Sequence, residues 1–305
     1  RTITVALGEK TYNIEIAAGL LDQIGAKARV LSQAVKAAII SDSNVDPLYG
    51  ERLERSLAAS GFEVTRIVFA AGEQSKNLTV LGQVYDELAR AGLTRSDLIL
   101  TLGGGVPGDL GGFAAATFLR GIDFIQVPTS LLAQIDSSVG GKVAIDLPSG
   151  KNLAGSFYQP KAVFIDPDLL KTLPLRFLHD GLAEAIKYGC IRDAGLFAQI
   201  AAVKSDQELL EQADIIIETC CNIKARIVEK DEFDTGERML LNFGHTIGHA
   251  IEKCCGFTTY THGEGVGIGM VQMTRQTEKL GLTAAGTAEE LSRVLKKFAL
   301  PVSAV

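Results

Sequence analysis

The stretch Leu98-Ile-Leu-Thr-Leu-Gly-Gly-Gly-Val-Pro-Gly-Asp109 decides how this chain is read. An apolar run of strand length passes into a glycine turn, and the turn opens a pattern of helical period at Leu110–Leu119. A strand, a glycine turn and a helix N-terminus bring backbone N–H groups and the helix dipole to one point, where they can hold a pyrophosphate. Pro107 suits the first helical turn, where its missing N–H leaves nothing unsatisfied. Gly103, Gly105 and Gly108 satisfy G-x-G-x-x-G, but not on the first strand–helix unit, so the motif alone reads equally as a plain tight turn.

Outward from this stretch, Thr2–Leu7 and Tyr12–Ile16 read as a hairpin, and Val35–Ser41, Glu63–Phe69 and Phe124–Val127 as buried strands. Helical patterns lie between them near Pro47–Ser60 and Leu78–Ala91. Such alternation predicts a parallel sheet with both faces covered. From Pro167 onward strand signals vanish and long amphipathic patterns follow at Ser205–Lys230, Glu237–Cys254, Gly263–Leu280 and Leu291–Leu300. The expected organisation is therefore an α/β domain over 1–166 and an all-α domain over 167–305.

The chain of 305 residues has room for two ordinary cores. Its net charge of −6 argues against a nucleic-acid surface, which needs a basic patch. No apolar run approaches the roughly 18 residues of a membrane span, and the start lacks the apolar core of a signal peptide. The 5 cysteines include the adjacent pairs Cys220–Cys221 and Cys254–Cys255. An odd total in that arrangement fits a reducing compartment better than a disulfide framework, with Cys254 and Cys255 as small core residues at a helix end.

Three of the 4 histidines, His245, His249 and His262, fall within residues 238–264. At about 100° per residue, a helix over Glu237–Cys254 puts Arg238, Asn242, His245 and His249 within roughly 60° of one another. His262 opens the next helical run. Two imidazoles from neighbouring helices plus a carboxylate would make an open, catalytic zinc arrangement; hydrogen-bonded core histidines are the alternative. Glu184 and Lys187, three apart in an apolar run, read as a partly buried ion pair or a surface one. Val139 to Asn152, with Lys142 and Lys151, reads as a polar solvated loop between the domains, and Asn222–Arg226 as a solvated face.

Together these segments resemble the 3-dehydroquinate synthases. The segments that carry the resemblance are Gly72–Lys76, Gly103–Asp109, Leu119–Gly121, Gln126–Lys142, Gly150–Asn152, Phe157–Pro160, Leu170–Pro174, Gly181–Tyr188 and the histidine stretch through Glu264. The resemblance implies a Rossmann-like NAD domain followed by a helical metal and substrate domain, in a cytoplasmic homodimer. It implies conversion of 3-deoxy-D-arabino-heptulosonate 7-phosphate to 3-dehydroquinate and phosphate in the shikimate pathway. The course it implies is oxidation by NAD, phosphate elimination, re-reduction, ring opening and an intramolecular aldol step, with NAD regenerated at each turnover. Carried over by position, Glu184, His245 and His262 match ligands of one divalent ion, zinc or cobalt, and His249 matches a position that either supports those ligands or handles a proton. Asp42, Asn44, Glu73, Lys76, Gly104, Gly105, Val106, Asp109, Thr129, Ser130, Leu132 and Thr172 match NAD contacts. Asp136, Lys142, Asn152, Lys187, Lys224, Arg238 and Asn242 match substrate contacts, Lys142 and Lys151 also border the cofactor, and Arg120 matches a phosphate contact to the neighbouring subunit's site. A substrate with a carboxylate and a phosphate explains a cluster of Lys and Arg in an acidic protein.

Pro107, Gly111, Ser130, Val143 and Phe177 depart from the family pattern, and Phe177 removes a carboxylate near the adenosine end. The apolar residues after Pro301 lead to the expectation that Val305 is not the natural end, the family continuing with another substrate-contacting lysine. Three rival readings stay open. A sister cyclase making a valiolone, inosose or amino analogue is one, although Lys224 and Asn242 speak against the valiolone branch. The others are a metal-dependent alcohol or glycerol dehydrogenase and a catalytically silent NAD- and metal-binding module.

Overall fold

Apolar runs short enough to be strands pair first, and their alternation decides which helices cover which face. In the computed structural model, which describes residues 1–256 and 259–304, the strands are β1 (Thr2–Val5), β2 (Tyr12–Ile16), β3 (Lys36–Asp42), β4 (Glu63–Phe69), β5 (Leu98–Gly103), β6 (Asp123–Pro128), β7 (Lys142–Leu147), β8 (Gly150–Phe157) and β9 (Ala162–Ile165). A seven-stranded sheet has the order β1-β2-β9-β6-β5-β3-β4, and β7 and β8 form a separate pair. All pairings in the large sheet are parallel except the β1–β2 hairpin, so the sheet is mixed at that edge.

Ala37 and Ile39 of β3 face α1 (Ile24–Leu31) and α2 (Glu51–Ala59), while Ala38 and Ile40 face α3 (Leu78–Arg90) and α4 (Gly105–Thr117). This is the two-residue period of a strand buried on both sides. The chain leaves β3 for the edge strand β4, then returns to β5 on the other side of β3. That reversal opens a crevice beyond the carboxyl ends of β3 and β5, where doubly wound sheets bind ligands. Asp42 closes β3 and Gly103 closes β5 at that crevice.

Several expectations need correction. The segment from Val139 to Asn152 is not a solvated loop but largely the hairpin β7–β8. Val143 and Ile145 alternate inward and are buried with Leu110 and Ala114 of α4. The short strand β9 also escaped the periodicity. Helix α4 starts at Gly105, inside the glycine motif and not after it. Ser205–Lys230 divides at Gln212 into the helices Asp206–Glu211 and Ala213–Lys230, and Leu291–Leu300 ends its helix at Lys297, before Ala299 at φ +54°. Cys254 is exposed and Cys255 half-buried, so neither is a core residue, whereas Cys220 and Cys221 are buried. Val305, on which the expectation about the terminus falls, lies outside the described residues.

The second half comprises α5 (Leu175–Ile191), α6 (Ala194–Ala202), α7 (Asp206–Glu211), α8 (Ala213–Lys230), α9 (His245–Cys254), α10 (His262–Lys279) and α11 (Thr287–Lys297). Its core also takes in Ile3, Val5, Ile14 and Ile16 from the first hairpin. Among the described residues no helix is long and apolar enough to cross a membrane. The single helix expected over Glu237–Cys254 is broken. Residues Glu237–Asn242 form a 3-10 turn, and Gly244 at φ +82° separates it from α9. A Cβ there would lie 2.6 Å from Met270 Cγ and 2.7 Å from the Val266 carbonyl oxygen, so packing of α10 against this corner requires glycine.

Helix α10 begins in equally close contact with α5. A Cβ on Gly263 would sit 2.0 Å from the carbonyl oxygen of Asp180, whose carboxylate accepts the Gly263 N–H at 2.5 Å. Gly263→Ala regains roughly 1 kcal/mol of helix propensity. A backbone clash this close costs on the order of 3 kcal/mol, so a net loss of about 2 kcal/mol is expected. Denaturant unfolding measures it, and an unchanged midpoint would show that the two helices are not in this contact.

Candidate active site

Glu184, Lys187 and Tyr188 occupy one buried stretch of α5, and Glu184 and Tyr188 meet residues from other elements. Glu184 is fully buried and forms an ion pair with Lys187, itself 1% exposed. Its Oε1 lies 3.4 Å from His262 Nε2 and 3.6 Å from His245 Nε2. The two imidazoles are the first residues of α10 and α9, with ring centroids 5.1 Å apart. Each turns its other nitrogen elsewhere: His245 Nδ1 is 3.2 Å from the Phe243 carbonyl and His262 Nδ1 is 3.2 Å from Glu252 Oε1. Among the described residues nothing hydrogen-bonds Glu184 Oε1. Ligand atoms of Glu184, His245 and His262 lie within 4.8 Å of one another, close enough to share an ion. A buried acceptor without a hydrogen bond, faced by two imidazoles whose far nitrogens are tied back, fits a divalent cation.

Electrostatics follow from this packing. Burial pushes the Glu184 carboxyl up, but Lys187, His262 and His245 outweigh it and hold it below its ordinary value. Burial lowers His245 to about 4, leaving a neutral imidazole at neutral pH. For His262 burial acts downward too, yet the facing carboxylates of Glu184 and Glu252 raise it to about 10 in the metal-free protein.

Asp136 lies in the turn after β6, a segment pressed on α5 because Gly181 leaves no side chain between them; a Cβ there would be 2.4 Å from the Leu132 nitrogen. Its Oδ1 accepts from Tyr188 Oη at 2.6 Å and from Lys224 Nζ at 2.8 Å, and its backbone carbonyl accepts from Lys224 at 2.6 Å. Desolvation raises the Asp136 carboxyl, and Lys224 and Lys187 pull it far lower. Lys224 is therefore buried on α8, and the solvated face expected for Asn222–Arg226 holds only for Arg226.

On the sheet side, Lys76 Nζ donates to Asp109 at 2.6 Å and to Asn152 Oδ1 at 2.5 Å. Lys151 spans Glu252 at 3.2 Å and Glu73 at 3.7 Å, joining β8, α9 and the turn before α3. Gly104 precedes α4 in extended backbone, Gly105 and Val106 open its first turn, and a Cβ on Gly104 would be 3.3 Å from Ser130 Oγ. Thr129 donates its N–H to the Gly103 carbonyl at 2.9 Å, and Leu132 continues that turn. Asp42 accepts the N–H groups of Asn44 and Val45, at 2.9 and 3.0 Å, and Thr172 meets Tyr49 at 2.5 Å. These residues gather at the carboxyl ends of the parallel strands.

Other expected positions stand apart. The stripe of Arg238, Asn242, His245 and His249 is broken at Gly244, and only His245 and His249, with ring centroids 5.4 Å apart, share a helix. Arg238 is buried, donating to the carbonyls of Glu232 at 2.7 Å and Gly140 at 3.2 Å. Asn242 is exposed, and so is His249, whose ring nonetheless lies 5.7 Å from that of His262. Lys142 is half-exposed on Asp234. Arg120 is exposed beyond the far end of α4, whose 13 residues put about 20 Å between it and the glycine turn. Sequence reasoning missed Tyr188 and Glu252. The first adjoins Lys187 in the same apolar run, and the second sits three residues after His249, at the spacing of helical neighbours.

A family profile described as 3-dehydroquinate synthase N-terminal matches residues 66–180, and one described as 3-dehydroquinate synthase C-terminal matches residues 181–305. The 3-dehydroquinate synthase of Clostridium acetobutylicum is 54% identical over 301 residues, 99% of this chain and 85% of the relative. The chain belongs to the 3-dehydroquinate synthase family. Among solved structures, a 2-deoxy-scyllo-inosose synthase complexed with carbaglucose-6-phosphate, NAD+ and Co2+ has a TM-score of 0.90 at 26% identity, covering 100% of this chain and 84% of that one. The 2-epi-5-epi-valiolone synthase of Streptomyces hygroscopicus with NAD+ and Zn2+ bound has a TM-score of 0.88 at 28% identity, covering 98% and 83%.

The charge state of His262 generates a test. Its charged form adds stability to the metal-free protein below the ordinary value of 6.5, and this is lost as pH rises through about 10. A cation taking Nε2 must displace that proton. Uptake at pH 7 is expected to release about one proton per ion and to tighten with rising pH. Calorimetry in two buffers of different ionisation enthalpy measures this; uptake with no proton released contradicts the assignment.

Proposed function

We propose that this chain converts 3-deoxy-D-arabino-heptulosonate 7-phosphate to 3-dehydroquinate and phosphate, a lyase reaction of the shikimate pathway that regenerates NAD. The observation that carries the reading is the Glu184–His245–His262 cluster set between the Lys187 and Asp136–Lys224 pairs, in a chain 54% identical to a named 3-dehydroquinate synthase. The inosose and valiolone synthases, at 26% and 28%, share the architecture at half that identity.

Glu184, His245 and His262 would hold one divalent ion, and the glycine turn with Asp42, Thr129 and Ser130 would hold NAD. When bound, the ion supplies positive charge that acidifies a secondary alcohol, and the nicotinamide accepts and returns a hydride. The chain's own residues do the rest. Lys187 and Lys224 stand buried beside Glu184 and Asp136, so their ammonium groups can face an anionic substrate without competing water. Tyr188 and Lys224 keep Asp136 ionised and oriented. His249, exposed one helical turn beyond His245, is placed to pass a proton between the site and solvent. Binding holds the open-chain product of phosphate loss in a closing geometry, and such positioning can lower a barrier by several kcal/mol. Arg120, exposed beyond the far end of α4, would contact the neighbouring subunit's substrate phosphate in a homodimer.

The test supplies the heptulosonate phosphate with a catalytic amount of NAD and follows phosphate and absorbance together. Phosphate release without growth of the reduced-nicotinamide band, abolished by a chelator, is expected. Stoichiometric NADH would indicate a dehydrogenase, and NAD binding without phosphate release a silent binding module.

A further inference from the structure

Glu252 has a role in neither the resemblance nor the reading above, yet its burial and partners are specific. Its side chain is 2% exposed, with Oε1 3.2 Å from His262 Nδ1 and Oε2 3.2 Å from Lys151 Nζ. A neutral imidazole carries one N–H, and the nitrogen that bears it cannot be a metal ligand. His262 can offer Nε2 toward Glu184 only with its proton on Nδ1, and Glu252 is the acceptor set at that atom. His245 receives the same service from a backbone carbonyl. An acceptor behind a ligating imidazole fixes both its tautomer and its ring orientation.

We propose that Glu252 is a positioning residue: it holds His262 as an Nδ1–H tautomer with Nε2 aimed at the ion shared with Glu184 and His245, and Lys151 balances its buried charge. The inference rests on the metal reading above. His249, Glu252 and His262 also bring ligand atoms within 4.8 Å, which raises the alternative of a second cation. Lys151 decides against it, because an ammonium already occupies the second carboxylate oxygen and repels another positive charge. Lys151 also reaches Glu73 at 3.7 Å, so the carboxylate that orients the metal ligand is held by the hairpin that borders the cofactor crevice.

Co2+ titration of the metal-free chain provides the test, read by the visible ligand-field bands. Wild type should take up one equivalent and His262→Ala none. Glu252→Ala should bind 10–100-fold more weakly, roughly the range for loss of such a partner, with altered bands. Glu252→Gln, which keeps an oxygen acceptor, should recover part of the affinity and the wild-type bands. Glu252→Ala binding as tightly as wild type with the same bands overturns the inference while leaving the metal reading intact. A second equivalent in wild type overturns it in favour of the His249–Glu252–His262 cation. No uptake by wild type removes the metal reading and this inference with it. Nitrogen NMR of the Zn2+-loaded wild type, labelled at histidine, decides independently of whether the variants fold: a protonated Nδ1 and metallated Nε2 at His262 are expected, and the opposite pattern overturns the proposal.

Discussion

A carboxylate with no exposure to solvent is the constraint on which this molecule depends. Burying Glu184 uncompensated would cost several kcal/mol. It is tolerated because Lys187 pairs with it from the next turn of the same helix, and because two imidazoles face it from α9 and α10. These helices can converge only through close backbone approaches. Gly263 leaves room for Asp180 of α5, and Gly244 turns the chain so that His245 starts its helix at the right point. The packing of the second half serves to bring two imidazoles from distant parts of the sequence to one atom, Glu184 Oε1.

The sheet contributes the other boundary. The reversal of strand order between β3 and β5 puts Asp42 and the glycine turn beside one crevice, and α5 is pressed against the turn after β6 that carries Asp136. The hairpin β7–β8 closes the space between them. It packs on α4 through Val143 and Ile145, and its far strand delivers Lys151 and Asn152 to the charged groups of both halves. The cofactor side and the metal side are therefore joined by ion pairs as well as by the chain. Lys151, between Glu73 and Glu252, is the most direct of these links.

Much of the fold was legible because it is local. Val and Ile runs bounded by glycine, and a strand entering a glycine turn, carry their reading within ten residues. The hairpin was not legible, because Lys142, Asp146, Lys151 and Asn152 masked an alternation whose inward members are only Val143 and Ile145. The break at Gly244 was invisible for a different reason: the residues that demand glycine there, Val266 and Met270, lie on another helix. Lys224 looked solvated beside Asn222 and Arg226, and only its partner Asp136, 88 positions away, makes it a buried charge. His245 and His262 could be singled out by their rarity and spacing, but Glu252, an ordinary glutamate on a helix, acquires its meaning only from the imidazole it faces.

The central claim is that Glu184 Oε1 and the Nε2 atoms of His245 and His262 share one ion. Anomalous diffraction from crystals grown with Zn2+ and recorded on both sides of the zinc absorption edge tests this directly. The account predicts one strong peak per chain, about 2.0–2.2 Å from each of these three atoms. A peak on the far side of His262, between His249 and Glu252, or no peak near Glu184 at full zinc loading, would contradict it.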